Sequence, residues 1–253
     1  MAKTWLARTL GLVLGFIGFV SAAHAEGDVL VFGGTSGCGL ETVKLLRSQG
    51  RNVTVFVRPT SNREGLEPLG VSYVVGDALN ANDVTAAYAS GTFDTVVSSL
   101  GGRPGQPRPD YVGNKNINEA ALAAGVGRVI QVSAIGIDDA PTVKPDASDF
   151  MGNIYYEKKR GEDHLVESGL DYTIIRPGGL VDGPSTGNGQ LAPRDSEGGS
   201  IMRADVAFLV VQAMNDDSTI GQVYNAIDLT VKDEGPGAEE INRLLQEQAE
   251  GAE

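Results

Sequence analysis

One cysteine (Cys38) and two histidines (His24 and His164) are all that this chain of 253 residues holds of the strongest metal-binding side chains. A single thiol excludes an internal disulfide and any multi-cysteine zinc site. Asp138, Asp139, Asp146 and Asp149 cluster without EF-hand spacing, so a solvated acidic loop is expected there and no metal site. Basic residues are also scarce. Twenty Lys and Arg against 33 Asp and Glu give a net charge of −13, which disfavours nucleic acid and anionic membranes as partners. A local basic pocket for a phosphate remains compatible with that balance. No internal repeat is evident.

Long hydrophobic runs are missing as well. Leu10 to Val20 is almost wholly apolar, but it is short of the roughly 20 residues that a membrane-spanning helix needs. Lys3 and Arg8 precede this run, and Ala23-His24-Ala25 follows with small residues at the −3 and −1 positions. This is the order of a secretory signal, so residues 1–25 are expected to direct Sec-type export to a periplasm or organelle lumen. An uncleaved N-terminal helix anchoring the chain is the alternative, and only it would bring a membrane partner. No Arg-Arg pair marks a twin-arginine signal. A folded domain is expected over residues 26–231, and residues 232–253 form an acidic tail.

What is present is alternation. Short β-branched runs at Val29–Phe32, Val53–Val57, Val71–Val75, Thr95–Ser98, Arg128–Val132, Tyr172–Ile175 and Val223–Ile227 predict strands. Amphipathic stretches at Glu41–Ser48, Val84–Ala89, Asn116–Ala124, Tyr156–Glu167 and Ala204–Met214 predict helices between them. The pattern implies an α/β fold: one doubly wound, Rossmann-like parallel sheet in a single domain. Two Gly/Pro-rich loops, 101–109 and 178–199, follow predicted strands, where open α/β sheets place ligands. The second is expected to form a small substrate-side segment.

The stretch "DVLVFGGTSGCGLETVKLL" places Gly33, Gly37 and Gly39 directly after a strand and at the start of a helix. A dinucleotide needs a sharp turn, close backbone approach to its pyrophosphate, and free N–H groups at a helix N-terminus. Gly33, Gly34, Thr35, Ser36, Gly37, Cys38 and Gly39 are therefore expected to bind a cofactor. Arg58 stands 19 residues beyond Gly39, at the end of the second strand, where an acid would select NAD(H). NADP(H) is accordingly expected ahead of NAD(H), with Arg58 on the 2′-phosphate and Arg63 as a possible second cation. Asp77 and Ala78 after the third strand would lie near the adenine, and Ser98, Ser99 and Leu100 would line the cleft further along. Cys38 sits inside the glycine loop as a small filler whose modification would block the cofactor.

The glycine loop, Gly76-Asp77, "DYVGNKNINEAALAAGVGRVIQVSAIG", "SGLDYTIIRPGGL" and "IMRADVA" together resemble the short-chain dehydrogenase/reductases, and more narrowly their atypical, NAD(P)-binding, NmrA-like branch. The resemblance runs from about residue 28 to 230. It implies a Ser, Tyr and Lys in the reductases, with Ser133 at the end of the fifth strand and Tyr155 and Lys159 four apart on one helical face. It also places Pro177 and Gly178 near the nicotinamide carboxamide. The register stays open: Lys158 with Glu162 fits the family's Lys-to-acid spacing better, and puts Ile154 in place of the tyrosine. Tyr156 pairs only with Arg160 at the same offset. Asp110 before Gly113 and Asn116 departs from the asparagine of many extended relatives. His164 is expected on a helix surface.

The expected activity is an NADP(H)-dependent oxidoreductase passing hydride to a carbonyl, quinone or similar small acceptor. The alternative is a sensor or assembly factor that binds NAD(P) without turnover. The small-molecule substrate and the oligomeric state are left open by the sequence.

Overall fold

The computed structural model describes residues 27–102, 107–196 and 198–232. The expected export signal (1–25) and the acidic tail beyond Lys232 lie outside the described residues. Among those described, no helix is long and apolar enough to cross a membrane.

Five strands and their helices alternate through the first half. They are β1 (Val29–Phe32), α1 (Gly37–Ser48), β2 (Val53–Val57), β3 (Ser72–Val75), α2 (Ala81–Ala89), β4 (Thr95–Ser98), α3 (Val112–Ala124) and β5 (Arg128–Val132). The second half adds α4 (Phe150–Glu167), β6 (Tyr172–Pro177), β7 (Gly179–Val181), β8 (Gln190–Pro193), β9 (Ser200–Met202), α5 (Arg203–Met214) and β10 (Gln222–Ile227). Eight strands make one sheet in the order β3-β2-β1-β4-β5-β6-β10-β8. Every pair is parallel except β8 with β10. The doubly wound α/β fold expected from alternation is the observed one.

The reason lies in β1. All four residues of "VLVF" are buried, because the strand is covered on both faces. Val29 and Val31 pack with Val43 and Leu46 of α1 and with Val206 and Leu209 of α5. Leu30 and Phe32 point the other way, toward Val84 of α2, Ile117 of α3 and Leu165 of α4. Two cores therefore share one sheet, and the chain order reverses between β1 and β4. The crevice at the carboxyl ends of the strands opens at that reversal.

The 178–199 stretch differs from expectation. It carries two short strands where Gly/Pro content suggested a loop. β8 extends the main sheet as its antiparallel edge, and β7 pairs in parallel with β9 in a separate two-stranded ladder. Segments of three and four residues leave too short a period for sequence alternation to register.

Candidate functional site

The residues after β1 fold as they do because of steric demands on three glycines. Gly33 has φ +78°, and a Cβ there would sit 2.4 Å from the Ser99 carbonyl oxygen. At Gly39 a Cβ would meet the Gly33 carbonyl oxygen at 2.3 Å, so only glycine lets α1 start this close to the β1 turn. Gly37, with φ +54°, has only the Arg203 side chain near its Cβ position, at 3.8 Å from Nε. Ser36 precedes α1 without capping it through its side chain, and no acid occupies the first turn. The positive end of the helix is thus left without the anion that usually complements it.

A cleft of about 480 Å³ opens over this turn. Gly33, Thr35, Ser36, Gly37 and Cys38 form its base. At one end stand Arg58, which follows β2 directly, and Ser61, whose hydroxyl accepts from the Arg58 N–H at 3.1 Å. Asp77 and Ala78 follow β3 on the same side; the Asp77 carboxylate accepts the Leu79 N–H at 3.0 Å, which fixes its direction. Ser99, Leu100 and Ser133 line the far side. Arg58, Lys158 and Arg203 are the cations among the described lining residues, against Asp77 as the acid. The cleft is cationic in a chain that is strongly anionic.

Several expected cofactor contacts have other surroundings. A Cβ at Gly34 would collide with Val55 at 2.8 Å, so this glycine serves the packing of the core under the loop. Ser98 is buried and donates to Asn114 Oδ1 at 2.6 Å, tying β4 to α3. A Cβ at Gly178 would lie 1.8 Å from the Gly199 carbonyl oxygen, and the Gly178 N–H donates to Ala226. Gly34, Gly39, Ser98, Pro177 and Gly178 are not among the residues that line the cleft.

The residues expected to be catalytic, Ser133, Tyr155 and Lys159, are not brought together in the cleft. Ser133 lines the cleft, and its Oγ is buried with no hydrogen-bond partner among the described residues. Lys159 does not line it; its ammonium is ion-paired with Asp163 on the outer face of α4. Lys158 is the lysine on the cleft wall, with Nζ 3.0 Å from Asp110 Oδ1 and 3.4 Å from the Leu100 carbonyl. Tyr155 packs its ring against the Gly136 turn, 3.6 Å from where a Cβ would be, and no tyrosine is among the described lining residues. Arg160 turns away and covers the Tyr111 ring at 3.6 Å. Neighbours on a helix are turned by about 100°, so Lys158 and Lys159 cannot share a direction.

Asp110 is the residue whose role sequence reasoning missed. It is fully buried, and its carboxylate also accepts from Arg108 Nη2 at 2.8 Å and the Gly102 N–H at 3.0 Å. Its departure from the asparagine pattern was the available signal. Glu162, four residues after Lys158, is buried on Arg176 at 2.6 Å, and Arg176 also holds Asp138 at 2.9 Å. That network fixes α4 against β6, and with it the direction of Lys158. His164 is half-buried where α4 meets α3, with Nδ1 3.4 Å from Asn118 Nδ2 and Nε2 3.9 Å from Glu119.

A family model described as NAD(P)H-binding matches residues 33–217. The chain belongs to that family. The NAD(P)H-binding chain is 32% identical to a protein described as the uncharacterized sugar epimerase YhfK of Bacillus subtilis, over 85% of its own length and 99% of the relative's. It is 33% identical to the anaerobillin reductase ChuY of Escherichia coli O157:H7, with a TM-score of 0.70, covering 81% of this chain and 98% of that one. Sanguinarine reductase of Eschscholzia californica is 35% identical over 62% of this chain and 57% of its own. Among the described residues of this NAD(P)H-binding chain, no group of His, Cys, Asp and Glu could hold a metal ion.

Proposed function

We propose that the protein is an NADP(H)-dependent reductase of the atypical short-chain type, acting on a carbonyl, quinone or similar small acceptor. The observation that carries this reading is the single cleft that joins a phosphate cradle at Gly33–Cys38 and Arg58 to Ser133 and Lys158. The residues fit the cofactor. Gly37 leaves open the place where a side chain would enter the cradle, Gly33 and Gly39 allow the tight turn beneath it, and the buried Ser133 Oγ lacks a partner that a bound ligand would supply. Gly33, Thr35, Ser36, Gly37 and Cys38 would hold the pyrophosphate against the start of α1. Arg58 would take the 2′-phosphate in a charge-assisted bond, and Asp77 and Ala78 would flank the adenine.

A reduced nicotinamide, when bound, supplies the hydride. The chain's own part is to hold the acceptor oxygen. Ser133 Oγ donates a hydrogen bond to that oxygen, and the Lys158 ammonium stabilises the negative charge that develops on it. Lys158 would also yield the proton that completes the alcohol or hydroquinone, and Asp110, 3.0 Å from its Nζ, would keep the ammonium in position. Neither Tyr155 nor Lys159 has a part in this scheme. A reductase in one relative and another in a solved neighbour supports hydride transfer as the reaction class.

The test is titration of the chain with NADPH and NADH by nicotinamide fluorescence, followed by NADPH consumption with ketones, quinones and flavins. Arg58→Ala is expected to weaken NADPH about 10–100-fold and to leave NADH nearly unchanged. Equal affinity of variant and parent for NADPH would remove the 2′-phosphate assignment. The lack of a lining tyrosine also favours a second reading, a cofactor-loaded sensor without turnover. Tight NADPH binding with no oxidation by any acceptor would select it. Sec-type export by residues 1–25 belongs to the same proposal, and the mass of the secreted chain tests it.

A further inference from the structure

Arg203 was not singled out by the cofactor reading, yet it stands across the cleft from the phosphate cradle. It is the first residue of α5, and the register of β7 on β9 sets it there. Val181 pairs with Met202, so the next residues along, Asp182 and Arg203, emerge side by side. Arg203 Nη1 lies 2.9 Å from Asp182 Oδ1, while Nε lies 3.8 Å from the Cβ position of Gly37. The guanidinium therefore spans from an exposed carboxylate to the N-terminus of α1. The two partners are unequal: the Arg203 side chain is 20% exposed and that of Asp182 is 76% exposed. A solvated carboxylate is a weak partner for a mostly buried cation. A diphosphate, with several anionic oxygens, matches the planar fork of arginine far better.

We propose that Arg203 is a second phosphate ligand of the cleft, closing on the pyrophosphate from the side opposite the α1 N-terminus, and that Asp182 competes with the ligand for it. The inference rests on the dinucleotide reading above and adds its missing cation. Gly37 is then required twice over, for its positive φ and because any side chain would stand between the helix N-terminus and Arg203. The segment that carries Asp182 does not depend on Arg203 for its place. Asp205, in the same turn of α5, accepts from Ser185 Oγ, from Thr186 N and Oγ1 at 3.0 Å each, and from Gly187 N at 3.2 Å. Replacing Arg203 thus removes a cation and leaves the segment anchored.

The experiment measures binding of NADPH, NADH and adenosine 2′-monophosphate to the full chain, to Arg203→Gln and to Asp182→Asn. Arg203→Gln is expected to lose about 10–100-fold for both dinucleotides, which carry the diphosphate, and nothing for adenosine 2′-monophosphate, which lacks it. Asp182→Asn is expected to move the other way, tightening both dinucleotides about 2–5-fold, with the gain abolished in the double variant. Unchanged dinucleotide binding by Arg203→Gln overturns the proposal, as does an equal loss for the mononucleotide. Weaker binding by Asp182→Asn overturns the competition, because the pair would then serve the ligand jointly. A parent chain that binds adenosine 2′-monophosphate but neither dinucleotide overturns the phosphate site as well as the cofactor reading. Dinucleotide binding by the parent that survives Arg203→Gln removes Arg203 alone.

Discussion

The two ends of the cleft are built by different means. At the end proposed for the phosphates, backbone does the positioning: Gly33, Gly37 and Gly39 set the turn, and the strand order places it at the crevice. At the end proposed for the acceptor, side chains do it, through Lys158, Asp110 and Arg108, with a buried Glu162–Arg176 pair extended to the half-exposed Asp138. A backbone site tolerates change around it as long as the glycines remain. A side-chain site depends on rotation about one helix, where a shift of one residue moves a group by about 100°.

The sharpest break of that comparison is the lysine pair on α4. Lys158→Met removes the lysine that lines the cleft and pairs with Asp110, and turnover of an accepted substrate is expected to fall about 10²–10⁴-fold. Lys159→Met loses a surface ion pair with Asp163, and kcat/KM is expected to stay within about twofold. Steady-state kinetics with NADPH in excess separates the two. If Lys159→Met were the inactive variant, the assignment of the acceptor end would be wrong, and the Tyr155–Lys159 face would have to turn inward when substrate binds.

The difference also explains what could be read from the chain. Six of the seven expected strands were set to within a residue at both ends, because β1, β2, β4 and β5 are apolar runs bounded by turn residues, β3 is only one residue shorter and β10 only one residue longer. The helix starts were read late. α1 begins at Gly37 and α3 at Val112, since the glycine and asparagine positions that open them carry little helix propensity and are held by tertiary contacts. In α4, the sequence "NIYYEKKRGEDHL" offers two lysines and two tyrosines within five residues. Periodicity alone does not say which of them faces the sheet. The burial of Glu162 on Arg176 decides it, and that pair joins residues 14 apart in the chain. Sequence spacing held the clue in the Lys158–Glu162 offset, but only the partner of Glu162 makes it decisive.

The 178–199 segment offers a smaller test of side-chain positioning, by pH. Burial pushes the Asp205 carboxyl up, but hydrogen bonds from the Ser185 hydroxyl, the Thr186 N–H and hydroxyl and the Gly187 N–H outweigh it, so its folded value lies below the ordinary one. A carboxylate depressed on folding adds stability that is fully present above its unfolded value, about 4, and is lost as the pH falls through the lower folded value. Thermal melts of Asp205→Asn and the parent are therefore expected to differ most near neutral pH. The gap should narrow as the pH falls below about 4. A gap that widens on acidification would mean that the segment is not held by an ionised Asp205.

Cys38 provides the mildest perturbation and tests the turn after β1 for the rigidity that its glycines imply. The thiol lies in the first turn of α1, 5% exposed, between Gly37 and Gly39. A thiol at a helix N-terminus beside cations would ordinarily be activated. Here burial dominates and raises it to about 12, against the opposing pull of Arg203 and Lys158. The thiolate population near pH 8 is then on the order of one in ten thousand. Native protein is expected to react slowly with a thiol reagent, and protein unfolded in urea to react at once. Cys38→Ala should leave NADPH affinity within about twofold, since the residue contributes its backbone N–H and a small volume. Fast native labelling that NADPH suppresses would mean that the turn opens before the cofactor arrives, and that the backbone end of the cleft is as dependent on its ligand as the side-chain end.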